Sequence, residues 1–262
     1  MEKLCLTSKE ILYIASVSGA DEFIGIPDGF YGMDEAEIAT EISEIKASLI
    51  EKSYAEMDFD GNFAIKNEIV KLVNECANFK RYIAFEKASK GKSKTIRFYF
   101  GENDVYFVKD EEKSFAIDII SKIKIKKELL EFIEWQKDNE LSNDKVILEP
   151  ALLNKVKSMN EFDNPENELK MMGCDNLKAK IIYSGLNGSS EYYSLIDIDN
   201  TKETNQFNSL MFINSEDGAV ELIPVESETE SLEVAYVDLL SITTRIEEII
   251  GDLGQEPEGV FQ

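Results

Sequence analysis

The sequence predicts an α+β fold: a pseudo-twofold duplication of helices, antiparallel meander and helix, set around one central antiparallel sheet with helical bundles. Three observations predict it. Apolar spacing is helical as far as Cys76, then changes at Arg81 to short apolar runs broken by turn signals. The same order of elements returns after Asp144. Hydrophobic residues make up 43% of the 262 residues and aromatic residues 10%, enough for a real core. The expected halves are 1–140 and 145–253, linked by the polar stretch Lys137 to Asp144, with a tail over 254–262. Two independent α+β domains are the alternative; the short linker favours the joined sheet.

The elements follow in order. Thr7 and Glu10 form a capping box ahead of a helix carrying Ile11, Leu12, Ile14 and Ala15, which Gly19 stops. Asp21 to Met33, with Pro27, Gly29 and Gly32, is a loop. Asp34 and Glu37 cap a second helix with Ile38, Ile42, Ile45 and Leu49 on one face. Asp58 to Asn62 is a corner, and a third helix turns Ile65, Ile69, Leu72, Val73 and Cys76 inward. Strands follow at Arg81–Phe85, Thr95–Phe100, Val105–Val108 and Phe115–Ile119. A helix with Leu129, Leu130, Ile133 and Trp135 closes the half.

In the second half Pro150 opens a helix with Leu152, Leu153 and Val156, and Asn164-Pro165 opens another ending at Gly173. Strands are expected at Leu177–Tyr183, Tyr192–Ile198, Leu210–Ile213 and Val220–Val225, with Asn187-Gly188 and Asp217-Gly218 as hairpin turns. A long helix is expected over Glu233 to Ile250, with Glu226 to Glu230 as its acidic first turn.

The net charge of −24 comes from 52 acidic against 28 basic residues. It disfavours phosphate backbones and anionic membranes and suits a basic partner or plain solubility. Histidine is absent, which removes Ser-His-Asp and Cys-His catalysis. Cys5, Cys76 and Cys174 are too far apart for a zinc cluster or disulfide framework. The opening lacks the apolar segment of a secretory leader, and no uncharged apolar run is long enough to span a bilayer. A cytoplasmic binding protein is therefore expected, with no catalytic residues, no metal and no cofactor.

Three motifs invite chemistry. Glu56 to Phe63 resembles a calcium loop, but Asn67 stands where the closing carboxylate belongs, and Glu68 comes one step late. A local corner explains it better. Lys87 to Lys94 is a concentrated basic patch. Its Gly91-Lys92-Ser93 triplet lacks the upstream glycine of a phosphate loop, so a hairpin that is solvated or contacts a partner is expected. Asp118, Asp197 and Asp199 sit on strands or at their ends, with nothing to bring them together.

Leu6-Thr7-Ser8-Lys9-Glu10-Ile11-Leu12, the second helix ending in Leu49-Ile50-Glu51-Lys52, the Asp60-Gly61-Asn62-Phe63 turn and the following helix are similar to the opening of EspG-like proteins. These are accessory proteins of type VII secretion systems. The duplicated element order resembles that family as well. The resemblance implies a cytosolic chaperone or adaptor for a helical secreted substrate. By position, it implies substrate contacts at Ser89, Lys90, Gly91, Lys92 and Ser93, and on the face near Val234, Tyr236 and Leu239. A second expectation, from another class, is an immunity-type protein that occludes a toxin's basic active site with acidic surface. An enzyme working through carboxylates or a metal is the third.

Overall fold

The computed structural model describes residues 3–20, 22–138, 145–159, 164–201, 206–225 and 231–251. Among these residues lie eight helices and twelve strands, ten of which form a single antiparallel sheet, so the chain is α+β. The chain divides into two compact units: Met1–Ala84 with Ile96–Ser121 and Ile198–Gln206, and Phe85–Thr95 with Lys122–Asp197 and Phe207–Gln262.

The first unit begins with β1 (Leu4–Leu6) and α1 (Ser8–Val17). The Thr7–Glu10 capping box is present in full, as are the bonds between Asp34 and Glu37 at the start of α2 (Glu35–Glu51). Next come β2 (Ala55–Met57), β3 (Phe63–Ile65) and α3 (Asn67–Ala77), whose Ile69, Leu72, Val73 and Cys76 are buried. The corner expected at Asp58 is therefore a β-hairpin tip between β2 and β3, not a junction of two helices. Ala55 and Ile65 pair across it, and their β-region backbone takes up the residues assigned to flanking helical turns.

The meander is β4 (Arg81–Ser89), β5 (Lys92–Phe100), β6 (Val105–Asp110) and β7 (Phe115–Ile120). Leu4, Cys5 and Leu6 of β1 pair with Ile117, Ala116 and Phe115, so the short leading strand lies beyond the last strand of the meander. The core of this unit joins Leu6, Ile11, Ile14, Leu49, Leu72, Val73 and Tyr99.

In the second unit α4 (Lys122–Phe132) is followed by β8 (Val146–Leu148), α5 (Pro150–Ser158), α6 (Pro165–Met171) and α7 (Asn176–Leu186). Then come β9 (Glu191–Asp199), β10 (Gln206–Ser215), β11 (Gly218–Val225), β12 (Ser231–Val237) and α8 (Leu239–Ile250). The order of strands in the sheet is β1-β7-β6-β5-β4-β9-β10-β11-β12-β8. Each half thus carries a four-stranded meander with a three-residue strand beyond its last member, since β8 pairs with β12 as β1 pairs with β7. This is the duplication that the element order predicts.

Two expectations in this half are corrected. Leu177–Tyr183 is not a strand but the body of α7. Asp175 accepts hydrogen bonds from Leu177 N–H and Lys178 N–H as the N-cap, and Lys178, Ala179, Ile181 and Ile182 form a helical buried stripe. Asn187 is then the end of α7 and not a hairpin turn. The last helix starts at Leu239, because Ser231–Val237 pairs with both β11 and β8 as a strand. Asp238, bonded to Ser241 N–H, is the helix cap. Glu226 to Glu230, most of the expected linker and the expected tail lie outside the described residues.

Candidate functional site: the basic hairpin tip and its surroundings

The β4–β5 hairpin turns at Lys90 and Gly91, with φ of 51° and 71°. Two successive positive φ values make the tight turn whose twist matches that of paired strands. Lys90 is an L-residue in this strained region, and its N–H donates to Gly188 O at 2.9 Å. Gly188, at φ +75°, leaves little room for a side chain: a Cβ would lie 3.3 Å from the Lys90 nitrogen. The tip is thus held against the α7–β9 turn by a backbone bond that depends on glycine.

The lysines of this hairpin differ in kind. Lys87 Nζ lies 2.5 Å from Glu191 and 3.0 Å from Glu134, and sits 5.8 Å from the centre of the Tyr193 ring. Partial burial works to lower its pKa, but the two carboxylates outweigh that and raise it. This lysine is structural. Lys90, Lys92 and Lys94 are exposed and have no ion-pair partner among the described residues. Lys92 and Lys94 alternate along β5 and so share one face. Three uncompensated cations thus stand together on a chain of net charge −24.

Beside the tip is a polar concavity lined by Lys90, Lys180, Ser184, Ser189, Ser190 and Ser215, among others. Several of its hydroxyls are engaged. Ser190 donates to Ser184, Ser184 to Ile181 O, and Ser215 to Gly218 O. Lys180 meets Asp217 at 2.8 Å. The arrangement presents charge, and the hydroxyls of Ser184, Ser190 and Ser215 are turned to backbone carbonyls or to one another.

The second expected patch is divided by the structure. Val234 is fully buried in β12, opposite Leu222. Tyr236 is also buried, and its hydroxyl donates to Asp175 Oδ1 at 2.6 Å. The Lys178 ammonium, itself fully buried, lies 4.6 Å from the centre of the Tyr236 ring and 3.9 Å from Asp175. Burial alone would raise the Asp175 carboxyl. The bonds from Lys178 N–H and the Tyr236 hydroxyl, and the Lys178 charge, outweigh it and hold the group below the usual aspartate range. Burial and Asp175 push the Tyr236 phenol well up, and burial pushes the Cys174 thiol up to about 11. This cluster fastens α7 to β12. Leu239 remains at the surface, beside the more exposed Leu240 at the start of α8.

The carboxylates considered for catalysis, Asp118, Asp197 and Asp199, and that of the calcium-like loop have local partners: Asp118 accepts from Ile119 N–H. Asp199 accepts from the Thr201 N–H and hydroxyl, and Asp197 from Asn208 Nδ2. The Asp58 carboxylate binds Asp60 N–H, Asn62 N–H and Asn62 Nδ2. Among the described residues no group of three or more His, Cys, Asp or Glu is placed to hold a metal ion, and no helix is long and apolar enough to cross a membrane.

No family model and no curated protein sequence matches the chain. Its fold is nevertheless that of a type VII secretion chaperone. The chain superimposes on Mycobacterium tuberculosis EspG5, solved in complex with a PE25–PPE41 dimer, with a TM-score of 0.62 at 8% identity, over 96% of each chain. The EspG-like fold implied by the opening helices is thus present, with almost no identity to carry it.

Proposed function

We propose that this chain is a protein-binding chaperone or adaptor. It holds a helical secreted protein in the cytoplasm for a type VII secretion system, and it performs no catalysis. One observation carries the reading: the whole chain matches the fold of a chaperone that was captured holding its dimeric partner. The uncompensated lysines at the β4–β5 tip support it, since a rim of unpaired charge sets partner choice and encounter rate more than raw affinity. A body of net charge −24 also keeps a carrier of apolar cargo soluble.

The test is affinity capture of the full chain from its native cells, with the bound species identified by mass and then reconstituted from purified parts. A small helical secreted protein is expected. Lys90→Glu with Lys92→Glu and Lys94→Glu should weaken the reconstituted complex about tenfold. A basic toxin silenced on binding would replace this reading with neutralisation. Turnover of a small molecule, abolished by one substitution in a cleft, would end it.

A further inference from the structure

Two surface features other than the hairpin lysines complement one another. The first is Phe59, at the tip of the β2–β3 hairpin, whose ring is fully exposed. It does not dangle. Asp58 N–H donates to Asn62 O at 2.9 Å, Gly61 N–H to Asp58 O at 3.0 Å, and the Asp58 carboxylate ties Asp60 and Asn62. Gly61, at φ +81°, closes the loop. Met57 is half exposed beside the ring, and Glu56, Asp58 and Asp60 surround it with exposed carboxylates. A pre-organised aromatic loses little entropy on docking, which is the usual character of an interface anchor.

The second feature is the outer face of α4. Ile123, Lys126, Lys127, Leu130 and Glu131 line a shallow, mainly apolar concavity along one side of the helix. Ile123 is 79% exposed. Lys122, Lys124, Lys126 and Lys127 crowd the first turns, where cations oppose the helix dipole. Lys126 is bonded to Glu247 and Lys127 lies 3.5 Å from Glu131, while Lys122 and Lys124 have no ion-pair partner among the described residues.

We infer that the occupant of this concavity is a second copy of the chain, with the Phe59 ring of one copy seated between Ile123 and Leu130 of another and Asp60 and Glu56 facing the α4 lysines. Charge complementarity selects the site. Two bodies of charge −24 repel almost everywhere, and contact is least unfavourable where one of them presents lysines. The β4–β5 tip also presents lysines, but the concavity beside it is lined by serines and by Glu191, Glu216 and Asp217, which offer no apolar seat for an aromatic ring and would repel an acidic hairpin.

Sedimentation equilibrium of the full chain, without any partner, tests this. A mass above the monomer that rises with concentration is expected. Phe59→Ala should weaken the association about tenfold. Asp60→Lys alone, and Lys124→Glu with Lys127→Glu alone, should each give monomers. Mixing those two variants should restore association, because each then offers the charge that the other's surface requires. A monomer at every concentration overturns the inference, as does an oligomer indifferent to Phe59→Ala or a mixture that stays monomeric. The result does not depend on the chaperone reading.

Discussion

Glu10, buried, and Lys52, part-exposed, form an ion pair that ties α1 to the end of α2. The Glu10 carboxylate is 2% exposed and receives Lys52 Nζ at 2.7 Å, the Ser48 hydroxyl at 2.7 Å and the Thr7 N–H at 2.7 Å. Burial alone would raise the Glu10 carboxyl, but these donors outweigh it and hold the group below its ordinary 4.5. The residue that completes a helix cap is therefore also the polar joint of the first unit.

Replacing Glu10 with Gln should destabilise the chain by about 2 kcal/mol at neutral pH, because Lys52 loses its counter-charge but still reaches solvent. The sign with pH follows from the depressed pKa. The stabilisation is fully present above the unfolded value near 4.5 and is lost as pH falls through the lower folded value. Urea denaturation at pH 7 and at pH 3 should show the gap between the native chain and Glu10→Gln closing in acid.

Tyr236→Phe should cost about 2 kcal/mol, the usual size for a hydrogen bond to a charged acceptor. The raised phenol makes this contribution present below pH 10 and lost as pH rises beyond it. Thermal melts at pH 7 and pH 11 should show the difference shrinking. Equal melting temperatures at pH 7 would mean that the Asp175 bond adds nothing to stability.

Gly188→Ala should destabilise by about 1–3 kcal/mol, since it places an L-residue at positive φ against the Lys90 nitrogen. Amide exchange at Lys90 should speed up more than exchange in β11, because the lost bond is local to the hairpin tip.

Of the three cysteines, Cys76 is fully buried and Cys174 is 5% exposed with its thiol pushed up to about 11. A thiol-reactive dye at pH 8 should label Cys5 rapidly in the native chain and all three in denaturant. Fast native labelling of Cys174 would show the joint between α7 and β12 to be open.

Capping chemistry made the first unit readable. Thr7 with Glu10, and Asp34 with Glu37, state in sequence the same bonds that the structure makes. The second half was harder because Leu177-Lys178-Ala179-Lys180-Ile181 alternates like a strand, while Asp175 caps it as a helix and Ala179, Ile181 and Ile182 are buried with helical spacing. Ser231–Val237 failed in the opposite direction, its strand character coming from β11 and β8, partners remote in sequence. The hairpin lysines were visible as a cluster. Nothing local told that Val234 and Tyr236 are buried, or that Phe59 would stand exposed on a hydrogen-bonded hairpin tip.

The two outermost strands of the sheet, β1 and β8, are each three residues long. Among the described residues, a passing extended chain therefore finds a tripeptide's worth of unmated amides at either margin. Borders this blunt offer little to an eleventh strand, so backbone pairing at the sheet margins gives a partner little to hold.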